Sequence, residues 1–245
     1  GSGKMATCLS QLYHEHKHGN LAGYAKYETF PIWNLPLKHP VNIAYEAATV
    51  DLDDANCIDP FHLEAYGKTT VNYNRDVEIF PVLKTMMERI AGESPYQSPT
   101  DMGVNMAGLA IVDDDAVRDA AKMEIVRRYF QAAVDARRTG IHEERVERLE
   151  LLMNQAGIDS SFSPARSAAL LKEETTGGPA GAMVLADGRV VTGKTSPLLG
   201  AASSLLMNAL KAVSGVDDDV YVISDDVIKP ICTLKTSTLH SKNPR

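Results

Sequence analysis

The sequence is poor in cysteine. Its 245 residues include three, Cys8, Cys57 and Cys232, which lie far apart and form no Cys-x-x-Cys pair. An odd number of widely spaced cysteines disfavours both a disulfide scaffold and a structural zinc site. We therefore expect a reduced protein of the cytoplasm.

Long apolar runs and basic runs are also lacking. No stretch approaches the roughly 18 apolar residues that span a bilayer, and the first ten residues lack the charged-then-apolar pattern of a signal peptide. Lys plus Arg number 25 against 32 Asp plus Glu, which gives a net charge of −7. Nonspecific binding to nucleic acid or to an anionic membrane needs a basic face. We expect neither partner, although a local phosphate site is compatible with this charge.

The composition is that of an ordinary globular protein, with 44% hydrophobic and 23% charged residues. Apolar spacing and capping residues predict a mixed α/β fold with a helical middle region. The predicted helices cover residues 5 to about 19, 40–48, 60–66, about 74–90, 113–138, 142–156 and 164 to about 174. Residues 21–29 are compatible with a short strand.

The pattern changes after the Gly-rich run Thr175 to Gly181, where we place a boundary. Asp187-Gly188 lies between two β-prone segments and predicts a hairpin. Ser196-Pro197 is predicted to cap a helix through Val213. A buried strand at Val220 to Ile223 and a helix from about Ser224 complete the prediction.

Two segments carry part of a phosphate-loop pattern. The first, Gly1-Ser2-Gly3-Lys4, has the small residues, the lysine and the following amphipathic helix that phosphate binding requires. The strand and the first glycine of such a loop would lie before residue 1, and Met5 stands where a magnesium-binding Ser or Thr belongs. On these residues alone, a cloning remnant before an ordinary helix explains the segment equally well.

The second segment, Gly188 to Thr195 (GRVVTGKT), matches the Walker A pattern literally. Its β-branched Val190 and Val191 lie in a hairpin arm, and Gly188 already serves the turn, so a strand that runs into a helix is the better interpretation. The start of that helix still offers N–H groups and a positive dipole end to an anion. The candidate contacts there are Lys194, Thr195 and Ser196.

Polar and aromatic residues cluster most densely between residues 34 and 105. Asn and Asp are disfavoured inside helices, so this density indicates either a site or a series of caps and turns. The site candidates are Arg75 and Asn74 for anion binding, Asp76 and Glu64 as general bases, and His62 as a further catalytic residue. In the competing interpretation, Asp59 and Asn74 are helix caps, and Arg75 with Asp76 forms a surface ion pair.

Three histidines, His14, His16 and His18, end the first predicted helix. His14 and His18 share one face while His16 points away, so at most two of them suit one metal ion. Partly cationic side chains are favourable at a helix C-terminus without any metal. We predict no metal site here.

Several strings of the sequence are similar to a known family. They are GSGKMATCLSQLYHEHKHG, AGYAKYETFPIWNLPLKHPVNIAYEAAT, DPFHLEAYGKTTVNYNRDVEIFPVL, SPTDMGVN and VTGKTSPLLGAA. They closely resemble an uncharacterised bacterial family, domain of unknown function eighteen forty-six, over nearly the whole chain. The resemblance implies a protein roughly twice this length, with Gly1 to Lys4 inside a native glycine-rich loop.

The family's fold joins an α/β part, a helical middle and a C-terminal part with cytidine-deaminase-like topology. We accordingly divide the chain into residues 1–30, 31–176 and 177–245: the end of an N-terminal α/β region, a mainly helical region and a small α/β unit. Zinc deaminases need H-x-E and P-C-x-x-C at the starts of two helices. This sequence has Ser196-Pro197-Leu198 and Ser224-Asp225-Asp226 there, so we reject zinc deamination.

We predict that the protein binds a phosphorylated small molecule or a nucleotide through Gly1 to Lys4, with Arg75 as a second anion contact and without zinc. The alternative is a noncatalytic homo-oligomer in which the polar cluster forms an interface. The family supplies no reaction, so neither an enzyme activity nor a substrate follows from the resemblance.

Overall fold

The computed structural model describes residues 3–25, 31–103, 105–197 and 199–241. The chain divides into two compact units, Gly1–Asp159 and Ser160–Arg245. The fold is mixed α/β and mainly helical, as predicted, with two antiparallel two-stranded sheets in the described ranges. The division lies before the helix Pro164–Thr176, whereas the sequence suggested a boundary after it. The expected boundary at residue 30 borders residues outside the described ranges.

The first unit is built from helices around one short hairpin. Its helices are α1 (Lys4–Lys17), α2 (Pro40–Ala48), α3 (Pro60–Tyr66), α4 (Asn74–Ala91), α5 (Asp114–Thr139) and α6 (Glu143–Gln155), and its strands are β1 (Asn56–Ile58) and β2 (Val71–Tyr73). Short 3₁₀ turns cover Val50–Leu52, Pro99–Met102 and Met106–Ala110. The predicted helices of this region are confirmed. Residues 21–25 of the expected first strand are irregular, and its remainder lies outside the described residues.

Capping residues explain why these helices begin and end where they do. The buried Asp59 carboxylate accepts hydrogen bonds from the backbone N–H groups of Phe61 and His62 at the start of α3. Gly67 ends that helix with φ 64°, a left-handed conformation that costs glycine little. The Asp113 side chain caps α5 in the same way. These signals are local, which is why the sequence alone located them.

The core of the first unit has two apolar groups. Phe80, Leu83 and Met87 of α4 pack with Leu12 of α1 and with Met102. The second group lies where α5 packs on α2 and α6, and its fully buried side chains include Ile125, Val126 and Leu149. Strands β1 and β2 pair antiparallel, with Cys57 opposite Asn72. Helix α3 lies in the connection between β1 and β2, and α4 follows β2 directly.

The second unit holds a hairpin against which two helices pack. Its elements are α7 (Pro164–Thr176), β3 (Ala180–Val184), β4 (Val190–Lys194), α8 (Ala201–Ser214) and α9 (Asp225–Thr233). Both α7 and α8 contact the hairpin. The predicted turn is confirmed, because Gly188 has φ 84° and the Asp187 carboxylate accepts the Arg189 N–H at 3.0 Å.

Two predictions for this unit are wrong. Helix α8 begins at Ala201, five residues after the predicted cap. The Ser196 hydroxyl instead accepts the Leu199 N–H at 3.0 Å and closes a local turn. Residues 220–223 form no strand, and Tyr221 is 90% exposed. A strand needs a pairing partner, and the described strands of this unit, β3 and β4, pair with each other. The deaminase-like topology therefore stays a prediction.

Candidate functional site

The amino end of α1 has no side-chain cap among the described residues. Gly3 takes the N-cap position with φ 72°, and the first turn holds no acidic residue. Lys4 is exposed at the first helical position. The N–H groups of this first turn are thus available to an anion, together with a lysine ammonium. Gly1 and Ser2, the other residues of the proposed loop, lie outside the described residues.

A narrow cleft lies beside this helix end. It is lined by Met5 of α1, Asn72 of β2 and Asp76 of α4, among other residues, and encloses about 30 Å³, the share of about one water molecule. Asn72 is only 5% exposed. Its Oδ1 accepts the Tyr73 N–H at 3.0 Å, while its Nδ2 has no hydrogen-bond partner among the described residues. The Asn72 amide nitrogen is therefore a donor that a ligand group at the cleft could use.

Arg75 and Asn74, the predicted anion contacts, have structural partners. The Arg75 guanidinium binds Asp54 at 2.7 Å, and the Asp54 side chain is 3% exposed. The Asn74 side chain accepts the Ala55 N–H at 3.0 Å, which extends the pairing between β1 and β2. Neither Arg75 nor Asn74 lines the cleft beside α1. Both residues therefore hold the segment before β1 to the start of α4.

The structure separates the three predicted catalytic residues. Asp76 lines the cleft beside α1, whereas Glu64 lines a groove of about 500 Å³ between α3 and α4 together with Lys84. His62 lines a third cleft. Only Asp76 shares a cleft with α1, so Glu64 and His62 do not belong to that candidate site.

His62 belongs to a buried hydrogen-bond cluster that the sequence indicated only in part. Its Nδ1 lies 2.9 Å from the Ser98 hydroxyl, and Ser98 is fully buried. The Asp59 carboxylate, also fully buried, accepts the Thr100 hydroxyl at 2.6 Å. Sequence reasoning included Thr100 in the dense polar segment and missed Ser98. The available signal was the capping-box pattern. In it the Ser98 side chain accepts the Asp101 backbone N–H, and the Asp101 side chain accepts the Ser98 backbone N–H.

The predicted contacts in the second unit do not lie at a helix start. Lys194 ends β4, the Thr195 N–H donates to the Pro179 carbonyl at 2.9 Å, and Ser196 forms the turn described above. Lys194 and Ser196 line a groove of about 590 Å³ that also contains Lys172 and Arg189. The expectation of a helix dipole at these residues is thus wrong, although cationic side chains do gather there.

Charge and burial make Cys57 a poor nucleophile. Burial, followed by the negative charges of Asp59, Glu78 and Asp76, raises the pKa of its thiol to about 11. A thiol with such a pKa is almost wholly protonated at neutral pH, and the thiolate is the reactive form. The strand β1 therefore contributes packing and not covalent chemistry.

Among the described residues, no three His, Cys, Asp or Glu side chains come close enough to hold a metal ion. In the same ranges, none of the helices combines the length and the apolar character that crossing a bilayer requires.

The fold and clefts define a two-unit, mainly helical α/β protein in which a small, mostly apolar cleft lies beside the start of α1. Two family models match the two units: domain of unknown function DUF1846, N-terminal, over residues 1–157, and DUF1846, C-terminal, over residues 161–245. The chain belongs to this family, and the resemblance seen in the sequence is confirmed.

Similar curated proteins carry the name UPF0371 protein. One from Corynebacterium diphtheriae is 61% identical over 245 residues, which is all of this chain and 49% of that protein. One from Streptococcus thermophilus is 59% identical and one from Streptococcus pneumoniae 56% identical, each over the whole chain and 50% of the relative. The chain spans about half the length of the curated relatives it matches.

Proposed function

We propose that the protein binds a phosphorylated small molecule or a nucleotide at the amino end of α1. The supporting observation is the start of this helix, which has Gly3 in the left-handed conformation and no side-chain cap among the described residues, next to a small cleft that the Asn72 side chain lines. An anion is favoured at such a terminus by the N–H groups and by the positive end of the helix dipole.

Each group near the terminus has a role that follows from its chemistry. The N–H groups after Gly3 and the Lys4 ammonium bind the phosphoryl oxygens. The cleft is too small for a phosphoryl group, which therefore lies at its mouth. The Asn72 amide donates to the ligand from within the cleft. Asp76 is negatively charged and unsuited to phosphate, so it accepts a ligand hydroxyl and is the residue placed to act as a general base.

Isothermal titration calorimetry with inorganic phosphate, nucleotides and sugar phosphates tests this proposal. A charge-assisted hydrogen bond contributes about 1.5 to 3 kcal/mol, so Lys4→Ala should weaken binding at least about tenfold. The matched control is Lys17→Ala, which removes an exposed lysine from the opposite end of the same helix. It should leave the affinity unchanged.

The proposal fails if none of these ligands binds, or if Lys4→Ala binds as tightly as the unaltered protein. An Asn72→Ala variant distinguishes the contribution of the cleft from that of the helix end. It should lower the affinity for ligands that carry a group beyond the phosphate and leave the affinity for inorganic phosphate unchanged. The oligomeric alternative is tested by light scattering after size exclusion, since a monomer would remove it.

A further inference from the structure

We propose that a second site, the His62 cleft, binds the carboxylate of a small organic acid with a flat apolar body. This cleft has about 460 Å³ of space, and its lining residues are Trp33, His62, Tyr66, Lys68, Thr100 and Asp101. None of these residues lines the cleft beside α1. The proposal is therefore independent of phosphate binding at α1.

The Nδ1 side of the His62 ring is held inside the protein. The Ser98 hydroxyl oxygen accepts the Asp101 N–H at 3.1 Å and lies 2.9 Å from His62 Nδ1, and the Asp101 carboxylate lies 3.6 Å from the same nitrogen. His62 Nε2 has no hydrogen-bond partner among the described residues. A carboxylate ligand therefore selects the form of the ring that carries a proton on Nε2.

The other hydroxyl groups of the cleft are already committed as donors. The Thr100 hydroxyl donates to Asp59, and the Tyr66 hydroxyl donates to Asp101 at 2.9 Å. The Lys68 ammonium has no hydrogen bond or ion pair among the described residues, and Lys68 is exposed. The donors left for a ligand are therefore His62 Nε2–H, the Lys68 ammonium and the Trp33 Nε1–H, a buried group without a hydrogen-bond partner among the described residues. The Lys68 ammonium also brings a positive charge.

Three donors, one of them positively charged, suit a carboxylate. The opposing carboxylate of Asp101 lines the same cleft, and that of Asp59 lies behind Thr100. Their negative charges disfavour a doubly charged phosphate more than a singly charged carboxylate. The rings of Trp33 and Tyr66 supply apolar walls, and the Tyr66 ring lies 4.7 Å from that of His62. Aromatic walls favour a flat ligand body.

Benzoate is the probe for this site. Trp33 is the sole tryptophan of the chain, so its fluorescence reports binding directly. Benzoate should give a saturable change, whereas benzyl alcohol and phenyl phosphate should bind at least about tenfold more weakly, because one lacks the charge and the other carries too much. No saturable change with benzoate, or equal binding of benzyl alcohol, would overturn the proposal.

Variants of Lys68 and His62 measure how much each donor contributes to benzoate binding. Lys68→Ala should weaken benzoate at least about tenfold, while Lys38→Ala, which removes another exposed lysine of the same unit, should not. His62→Gln retains an N–H donor at the end of the side chain and should bind better than His62→Phe, with thermal unfolding used to verify that both variants fold. Lys4→Ala should leave benzoate binding intact. Unchanged affinity in both Lys68→Ala and His62→Phe would refute the assignment.

Discussion

The two units of the chain differ sharply in how much they bury. In the first, α4, α5 and α6 each contribute side chains with almost no exposed surface, such as Phe80, Ile125 and Leu149. In the described part of the second, the buried hydrophobic residues are Ala209 and Ile228. Apolar side chains on α8 remain open to solvent, and Leu206 and Leu210 are each more than half exposed.

The polar residues follow the same division. Asp59, Ser98 and Asn42 of the first unit are wholly buried and hydrogen-bonded, whereas the buried polar residue of the second unit, within the described ranges, is Lys211. A buried polar group holds one geometry because every alternative leaves it unpaired. The comparison teaches that the first unit holds several polar side chains in fixed, hydrogen-bonded positions. The second unit presents surface that its own described residues do not cover.

The largest expected effect comes from removing one core side chain from each unit. Phe80→Ala should lower the free energy of unfolding by about 3 to 5 kcal/mol, because Phe80 is 2% exposed. Urea titration followed by Trp33 fluorescence measures it. In the second unit, Leu206→Ala should change stability by less than about 0.5 kcal/mol, measured by hydrogen exchange of α8. Equal losses would contradict the difference between the units.

A smaller effect should follow from removing a buried cap. Asp59→Ala removes the acceptor of two N–H groups of α3 and of the Thr100 hydroxyl, which should cost about 2 to 3 kcal/mol. Asp59→Asn keeps one oxygen and should cost less. Ser196→Ala, the corresponding test in the second unit, should cost under about 1 kcal/mol. Urea titrations of the three variants measure these losses in the free energy of unfolding. Equal losses in Asp59→Ala and Ser196→Ala would contradict the prediction.

The smallest effect concerns thiol reactivity. Because the pKa of Cys57 is raised to about 11, its thiolate fraction should be low and should still rise with pH between about pH 7 and 9. Alkylation by iodoacetamide, followed by mass spectrometry, should therefore label Cys57 at least about tenfold more slowly than the exposed Cys8. A labelling rate of Cys57 that levels off near pH 9 would contradict the raised pKa.

Particular residues show how far sequence reasoning reached. Asp59-Pro60 and Gly67 located α3, since caps act within one turn of chain. The same reasoning placed a cap at Ser196, where the side chain instead closes a turn on Leu199. Local rules could not decide between these outcomes, because a serine hydroxyl serves a helix or a turn equally well.

The candidate sites depended even more on tertiary contacts. His62 and Asp76 were recognised as polar residues in a dense cluster, but their assignment to different clefts depends on how the hairpin of β1 and β2 directs α3 and α4. The contact between His62 and Ser98 joins residues 36 positions apart. No spacing rule connects such positions, so Ser98, Lys68 and Trp33 were not identified as neighbours.

The sequence by itself determined the mixed α/β class, the helices with strong caps, the hairpin at Asp187-Gly188 and the family. These features depend on interactions within a few residues or on long matching strings. Only the tertiary structure decided that Arg75 binds Asp54, that residues 220–223 form no strand, and that His62 has a cleft of its own. Ion pairs, strand pairing and clefts need partners distant in the chain, and folding alone brings those together.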